Sequence, residues 1–361
     1  MSAKILVALS GGVDSSVAAY LLQQQGYEVH GIFFRSWQNE TELWKECPWK
    51  EDLESARSAA NHLKIPFEII NFIDVYREKV VDYLIEGYRS GQTPNPDVMC
   101  NRYIKFGVLV EHARKAGFQG FATGHYCQKI EANGTFSLHE GIDPNKDQSF
   151  FLCLVQRHAL SLVQFPLGRF TKANVRCIAK EIGLPNAERK DSQGICFLGS
   201  SRTSIQDFLE KYIPDKPGAI VTTDGTILGQ HRGLHRYTIG QRKGIALPSN
   251  CDFEHYVVLA KNYATGQLVV GFDHPETEGL YAQKARIRCL NFLENPPVER
   301  EILQAKPRYR DCSQEITWHW LPETTAKITF TVPQRALAVG QAIAFYRKTC
   351  LIGVGIFQEI L

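Results

Sequence analysis

The segment that most restricts this chain is its opening. Ile5–Leu9 is an unbroken apolar run, Ser10-Gly11-Gly12-Val13-Asp14-Ser15-Ser16 follows at once, and Val13–Gln25 reads as a helix closed by Gly26. A continuous apolar run is what a strand buried on both faces requires, and such strands belong to parallel sheets covered by helices. Glycines at the strand–helix junction let the backbone bend tightly and come close to a ligand. The amides there and at the helix start can point at one anion, which the helix dipole also favours. Ser10, Ser15 and Ser16 add hydroxyls. Asp14 is out of place against a bare phosphate unless it helps hold a divalent ion. The segment is not a Walker A loop, because it contains no Gly-Lys-Ser/Thr. The plain alternative is a glycine-rich turn without a ligand. A lone Gly-Gly would leave that open; the full pattern, placed after the first strand of a βαβ unit, weighs against it.

Strands and helices continue to alternate. Glu28–Phe34 reads as a strand and Glu51–Leu63 as a helix with Leu53, Ala56, Ala60 and Leu63 on one face. Phe67–Asn71 is a strand, Val75–Glu86 a helix stopped by Gly87, and Gly91–Asp97 a loop with two prolines. Arg102–Lys115 is helical and Gly120–Thr123 is the next strand. This order predicts an α/β, doubly wound parallel-sheet domain with ligand sites at the carboxyl ends of its strands. The character changes after about residue 204. Ser204–Tyr212 is a short helix ended by Pro214, and a stretch rich in glycine and basic residues runs from Gly229 to Gly244. Short strands follow at Tyr256–Leu259, Gln267–Val270, Ala285–Leu290, Ile328–Val332 and Ala342–Tyr346, as in a small barrel. A chain of 361 residues exceeds one ordinary core. The expected division is a catalytic domain at 1–204, a small central domain at 205–275 and a C-terminal β-barrel at 276–361.

With 44% hydrophobic and 22% charged residues the composition is that of a water-soluble globular protein. No apolar run is long enough to span a bilayer, and the N-terminus reads as a strand rather than a signal peptide. The expected location is cytoplasmic. There the ten cysteines are mostly reduced thiols, and none forms a C-x-x-C pair, so zinc-ribbon and thioredoxin readings lack their signature. Cys127, Cys153, Cys177 and Cys289 lie among apolar or strand-like neighbours and are expected to be small buried hydrophobes. A net charge of +3 means that a polyanion would be held by local patches.

Two cysteines stand apart. In Asn95-Pro96-Asp97-Val98-Met99-Cys100-Asn101-Arg102, Cys100 is expected at a helix start with Arg102 and Lys105 close by, an environment that lowers a thiol's pKa. Asp97 precedes it by about one turn, placed either to shuttle a proton or to hold the base. In Lys190-Asp191-Ser192-Gln193-Gly194-Ile195-Cys196-Phe197-Leu198-Gly199, Cys196 sits between apolar neighbours, as a core residue would, but beside a polar loop. His231 and His235 have an i, i+4 spacing that hints at a metal; Gly233 between them argues against a helix, so no metal site is assigned.

Together these segments resemble the tRNA-specific 2-thiouridylases of the MnmA type, within the ATP pyrophosphatase superfamily. Ser10–Ser16 matches the pyrophosphate loop, Asn95–Phe106 and Asp191–Gly199 the two catalytic segments, and Gly229–His231 with Thr238–Gly244 the middle domain. Lys306–Arg310 and Gly340–Tyr346 match the terminal barrel. The resemblance implies ATP binding by Ala8, Leu9, Ser10, Gly11, Gly12, Val13, Asp14, Ser15, Phe34 and Gly124, with Mg2+ accompanying the nucleotide. It implies tRNA contacts at Asn95, Pro96, Asp97, His125, Lys146, Asp147, Gln148, Arg308, Tyr309 and Gln341. Cys196 would carry sulfur as a persulfide, Cys100 would be its catalytic partner, and the two would form a transient disulfide. Asp97 would serve as acid/base and base-positioning group. The partners implied are lysine, glutamate and glutamine tRNAs and a cysteine desulfurase or sulfur-relay protein. Two departures stand out: Phe34 replaces the methionine of many members, and 38–50, with Cys47, does not match the usual acidic segment. Cys47 is either a loop cysteine or a third sulfur relay, the former favoured.

The chemistry explains why such parts occur together. A uracil C2 oxygen leaves only after activation, and persulfide sulfur is the soft nucleophile that displaces it. The uridine must be flipped from its loop to be reached. Lys284, Arg286, Arg288, Lys306, Arg308 and Arg310 alternate along predicted strands and either track phosphates or form a solvated sheet face. The rival readings are an ATP pyrophosphatase that amidates a small molecule, which needs neither cysteine, and a non-catalytic RNA-binding protein, which has no use for Asp14, Asp97 and two cysteines.

Overall fold

A computed structural model describes residues 2–36, 48–191, 204–245, 247 and 254–361. Cys47 and the segment with Ser192, Gln193 and Cys196 lie outside the described residues. The first domain holds β1 (Lys4–Ala8), β2 (Glu28–Arg35), β3 (Phe67–Asn71) and β4 (Gly120–Ala122), then a hairpin of β5 (Cys127–Ala132) and β6 (Thr135–Glu140), then β7 (Val163–Gln164). Five of these make a parallel sheet in the order β3-β2-β1-β4-β7. The apolar opening run works as its pattern requires. Leu6 faces a cluster with Ile32 and Phe121, while Ile5, Val7 and Leu9 face another with Ala19, Leu22 and Val29. Both faces of β1 are thus covered. The chain moves outward from β1 in one direction to β2 and β3 and in the other to β4, so the crevice between the ends of β1 and β4 is the topological switch point. The loops that leave those two strands carry Ser10–Gly12 and Thr123–His125.

Two helix boundaries differ from the sequence expectation. The helix expected to stop at Gly87 runs on through 73–89, with a π-helical turn at Arg77–Val81. Gly87 serves the packing instead: a Cβ there would lie 2.6 Å from Pro94 Cγ, so it lets the following loop lie against the helix. The turn is made by Gly91, at φ +80°. The next helix begins at Pro96 rather than Arg102, with the Asn95 side chain accepting from the Val98 amide at 3.2 Å, and continues through 96–115 with a π-helical segment at Asn101–Val108. The hairpin β5–β6 and the helix Lys172–Glu181, capped by a Thr171–Asn174 capping box, have no counterpart in the sequence reading.

The central strands β8 (Gly218–Val221), β9 (Ile227–His231), β10 (Tyr256–Asn262) and β11 (Gln267–Phe272) form a sheet in the order β10-β11-β8-β9 around Ile220, Val258, Leu268 and Val270. The last domain contains β12 (Tyr281–Phe292), β13 (Ile302–Lys306), β14 (Gln314–Leu321), β15 (Thr325–Arg335), β16 (Ala342–Arg347) and β17 (Cys350–Ile360). Their order is β12-β15-β14-β13-β16-β17, and β12 pairs with β17, closing a six-stranded antiparallel barrel that leaves no edge within the ring. Trp318, Phe330, Phe345 and Phe357 fill it. One pairing, Cys350 with His139, ties the β5–β6 hairpin to the barrel.

Cys127 and Cys153 are buried as expected, but Cys177 and Cys289 are exposed. Cys177 lies on the helix Lys172–Glu181, whose buried residues are Val175 and Ala179. Cys289 falls where the β12–β17 register slips, with φ +53°. No helix among the described residues is long and apolar enough to cross a membrane.

Candidate active site

The loop after β1 is built around its own hydroxyls. Ser15 Oγ donates to the Gly12 carbonyl at 3.0 Å and lies 3.3 Å from Ser10 Oγ, while the Ser10 amide donates to Ser15 Oγ at 3.2 Å. Gly12 occupies the N-cap of Val13–Gln24 in extended conformation and offers no capping side chain, so the first-turn amides are left for another partner. Gly124, at the end of β4, lies directly on this turn: a Cβ there would be 2.7 Å from the Ser15 amide nitrogen and 2.9 Å from the Asp14 carbonyl carbon. The structure thereby brings Ser10, Gly11, Gly12, Asp14, Ser15 and Gly124 to one crevice. Ala8 and Leu9 lead into it, and Val13 anchors the helix in a cluster with Val175 and Leu184. Phe34, half-buried near the end of β2, packs against the clusters that contain Val98 and Cys100.

Asp14 sits in a charged network that the sequence did not disclose. Its Oδ1 accepts from Tyr126 Oη at 2.7 Å and from Lys172 Nζ at 2.6 Å. Burial pushes the Tyr126 phenol up, and the Asp14 charge pushes it further, so Tyr126 remains a donor. Lys172 Nζ also reaches Asp191 Oδ1 at 2.7 Å, and Asp191 in turn holds Arg176 and Lys146 at 2.7 and 2.5 Å. Burial disfavours the Asp191 carboxylate, but the hydrogen bonds from Lys146 and Lys172 outweigh it and hold the carboxyl at about 2. Lys172 therefore links the phosphate loop to the residue that opens the second cysteine segment. Its only sequence signal is the Thr-Lys-Ala-Asn cap in which it lies.

Asp97 occupies the first turn of the helix that starts at Pro96, and its carbonyl accepts from Asn101 Nδ2 at 2.9 Å. Cys100 is not at the helix start, contrary to the sequence expectation. It ends the first turn, Pro96–Cys100, so Asp97 and Val98, not Cys100, lie at that terminus. Its surroundings are also less polar than its sequence neighbours: it is 2% exposed and clusters with Tyr76, Leu84, Ile104 and Phe208. The loop before this helix is held by both β domains. The Thr93 amide donates to the Val339 carbonyl at 2.9 Å, Thr93 Oγ1 lies 3.5 Å from Thr238 Oγ1, and Gly91 packs on the Tyr263 ring.

The remaining candidates fall along the junction of the first domain with the barrel. His125 is buried beside Phe106 and Phe165, with Nδ1 2.7 Å from Thr123 Oγ1. Burial, with Lys105 adding to it, holds the imidazole well below its ordinary pKa and therefore neutral. Asp147 accepts from the Gly141 and Ser149 amides and from Lys306 Nζ, the last at 3.0 Å. The Gln148 side chain accepts from the Tyr126 amide at 3.1 Å. Tyr309 lies against Phe151 with ring centroids 4.3 Å apart and the planes tilted by 48°, Arg308 Nε donates to Asp311 at 2.8 Å, and Gln341 Oε1 is buried without a partner among the described residues. The strips 146–148 and 308–309 are thus brought together, and 341 adjoins 93 through the Val339 contact.

Lys306 departs from the phosphate-tracking reading. It is partly buried between Glu140 at 2.5 Å and Asp147 at 3.0 Å, where it locks the barrel to the first domain. Lys306→Met leaves two carboxylates without their cation and is expected to destabilise the protein by about 3 kcal/mol in denaturant unfolding. Arg286, exposed on β12 and 3.3 Å from Glu359, remains compatible with either a phosphate contact or a solvated face.

A parallel α/β domain with a glycine-rich phosphate loop at its switch point, followed by two β modules, defines the class. Residues 3–200 match the tRNA methyl transferase HUP domain, 206–272 the tRNA methyl transferase PRC-barrel domain, and 282–357 the aminomethyltransferase beta-barrel domain. The chain is 46% identical over 359 residues to the tRNA-specific 2-thiouridylase MnmA of Akkermansia muciniphila, covering 99% of each. It is 41% identical over 361 residues to that of Halalkalibacterium halodurans and 40% over 360 residues to that of Listeria monocytogenes, covering 99% of this chain and 95% of each relative. The chain belongs to the tRNA-specific 2-thiouridylase (MnmA) family.

Proposed function

We propose that this protein replaces the C2 oxygen of a tRNA wobble uridine with sulfur, consuming ATP and releasing AMP and pyrophosphate. The observation that carries the reading is the meeting of the Ser10–Ser15 loop with Gly124 at the switch point, in a chain that aligns end to end with the thiouridylases. In this reading the loop amides hold the phosphates, while Ala8, Leu9 and Phe34 border the nucleoside. The Asp14 carboxylate suits a nucleotide-bound Mg2+: both of its bonds fall on Oδ1, and one carboxylate with phosphate oxygens is an ordinary magnesium set. The metal would neutralise the phosphate charge.

The uracil C2 oxygen takes the adenylyl group as pyrophosphate departs. The outer sulfur of a Cys196 persulfide then bonds to C2 and AMP leaves with the oxygen. Attack of the Cys100 thiolate on the Cys196 Sγ breaks the S–S bond, leaves sulfur on C2 and forms a Cys100–Cys196 disulfide. A dithiol reductant supplies two electrons to reset the pair. Asp97, at its helix start, is assigned the proton transfers, and Asn95 and Pro96 the positioning of the flipped base. His125, Lys146–Gln148, Arg308, Tyr309 and Gln341 are assigned to tRNA. The domain limits 1–204, 205–275 and 276–361 follow the same division of labour. Lysine, glutamate and glutamine tRNAs are the proposed substrates, a cysteine desulfurase or relay protein the sulfur donor, and the cytoplasm the compartment.

AMP release that depends on tRNA, and not on a small carboxylic acid, tests the reading. Arg308→Ala is expected to weaken tRNA binding about tenfold, as loss of a phosphate-paired cation does, with ATP affinity retained. Filter binding with tRNA and nucleotide titration read the two effects; equal losses of both would count against the assignment.

A further inference from the structure

Three side-chain donors converge on one backbone carbonyl behind the phosphate loop. The Gly11 oxygen accepts from Ser55 Oγ at 2.7 Å, Asn186 Nδ2 at 3.0 Å and Arg189 Nη1 at 3.2 Å. A carbonyl oxygen has two lone pairs, so three donors saturate it. Ser55 comes from the helix Pro48–Leu63, and the other two from the stretch that follows Lys172–Glu181. Each of those two is held by a second bond: Arg189 Nη2 by Asp52 at 2.5 Å, and Asn186 Nδ2 by Ser16 Oγ at 3.0 Å. Asn186 is 5% exposed, and its own Oδ1 has no partner among the described residues. A buried acceptor left unsatisfied is costly, so this side chain is placed for the bonds its nitrogen makes.

The consequence follows from peptide geometry. In a trans peptide the carbonyl and the next amide point in opposite directions. Fixing the Gly11 oxygen on the Asp52–Arg189 side turns the Gly12 N–H away from that side, where its partner is Ser10 Oγ at a long 3.4 Å, a contact that a phosphate oxygen would replace. Gly11 reaches this orientation at φ +81°, and a Cβ there would lie 2.3 Å from the Asp52 oxygen and 2.9 Å from Arg189 Nη1. Without the three donors the peptide is free to rotate and present a carbonyl, which repels phosphate. A contact that only tied two helices together would not need to converge on this atom.

We propose that Ser55, Asn186 and Arg189 are positioning residues that lock the Gly11–Gly12 peptide with its amide toward the pyrophosphate portion of the nucleotide. This rests on the reading of Ser10–Ser15 as an ATP loop and adds the residues that hold it in shape. Asn186→Asp keeps the outline of the side chain but sets an oxygen against the Gly11 oxygen. Arg189→Ala removes one donor without a buried replacement and carries the test if Asn186→Asp does not fold. Calorimetric titration of the full-length protein with magnesium pyrophosphate, and separately with AMP, reads the effect. The expected result is pyrophosphate affinity lowered about tenfold in each variant, as for one lost hydrogen bond to a charged site. AMP affinity stays near that of the unsubstituted protein in each variant that folds, and Arg189→Lys recovers part of the loss. Unchanged pyrophosphate affinity, or equal losses for pyrophosphate and AMP, would overturn the proposal. If the unsubstituted protein binds neither pyrophosphate nor ATP, the nucleotide reading itself fails and this inference fails with it.

Discussion

Cys196→Ser yields no 2-thiouridine while tRNA affinity stays near that of the unsubstituted protein; Cys100→Ala has the same outcome for a different reason. The hydroxyl of serine cannot carry a transferable sulfur, so the first variant lacks the donor. In the proposed reaction the second lacks the thiolate that would release sulfur from the C2 adduct. Loss of a group that acts in a covalent step typically removes several orders of magnitude of rate, about 10⁴ or more. The two variants are distinguishable: with Cys100 absent, a persulfide still forms on Cys196, and mass spectrometry of the intact protein should detect it. Cys100 lies inside an apolar cluster one turn into its helix. Its participation therefore requires that helix 96–115 or its packing partners give way during turnover, and a Cys100→Ala variant with full activity would remove the residue from the reaction.

Gly124→Ala is expected to lower kcat/KM for ATP about 100-fold, the scale of loss that follows a displacement of about 1 Å at a reacting centre. The added methyl would meet the Ser15 amide nitrogen, the Asp14 carbonyl carbon and the Ser15 Cα, all within 3.1 Å and all backbone. Backbone at the first turn of a helix cannot swing aside as a flexible side chain does, so either β4 or the loop must shift. Arg308 and Tyr309 lie on a different element, so the loss of tRNA affinity should be limited to the share of the neighbouring His125 and be smaller than the loss for ATP. Steady-state AMP release at saturating tRNA measures the effect, and near-normal kinetics for ATP would show that the loop does not hold the nucleotide.

The parts of this molecule written in local pattern were legible without coordinates. The apolar run Ile5–Leu9, the glycines after it and the alternation through Gly120 encode a parallel sheet, and the sheet's order places the ligand crevice. The strands read at Ala285–Leu290, Ile328–Val332 and Ala342–Tyr346 encode a barrel, though not its closure, which depends on the β12–β17 pairing across the whole domain, whereas Tyr256–Leu259 and Gln267–Val270 join a separate central sheet. What the pattern hid was long-range. Gly87 reads as a helix stop, yet its role is to admit Pro94. Lys172, Asn186 and Arg189 reach the phosphate loop from more than 150 positions away, and no periodicity announces such partners. Lys306 alternates like an exposed strand residue, but Glu140 at the end of the hairpin β5–β6 and Asp147 hold it partly buried in an ion pair. Cys100 has polar sequence neighbours and an apolar spatial environment, because its helix starts at Pro96 and turns the thiol inward.

The most direct measurement is mass spectrometry of nucleosides digested from tRNA after incubation with the protein, ATP and a low-molecular-weight persulfide. The account predicts that a wobble uridine exchanges its C2 oxygen for sulfur, with one AMP released per sulfur transferred and neither product formed when ATP is omitted. Unmodified uridine alongside tRNA-independent release of AMP, or sulfur transfer that proceeds without ATP, would contradict it.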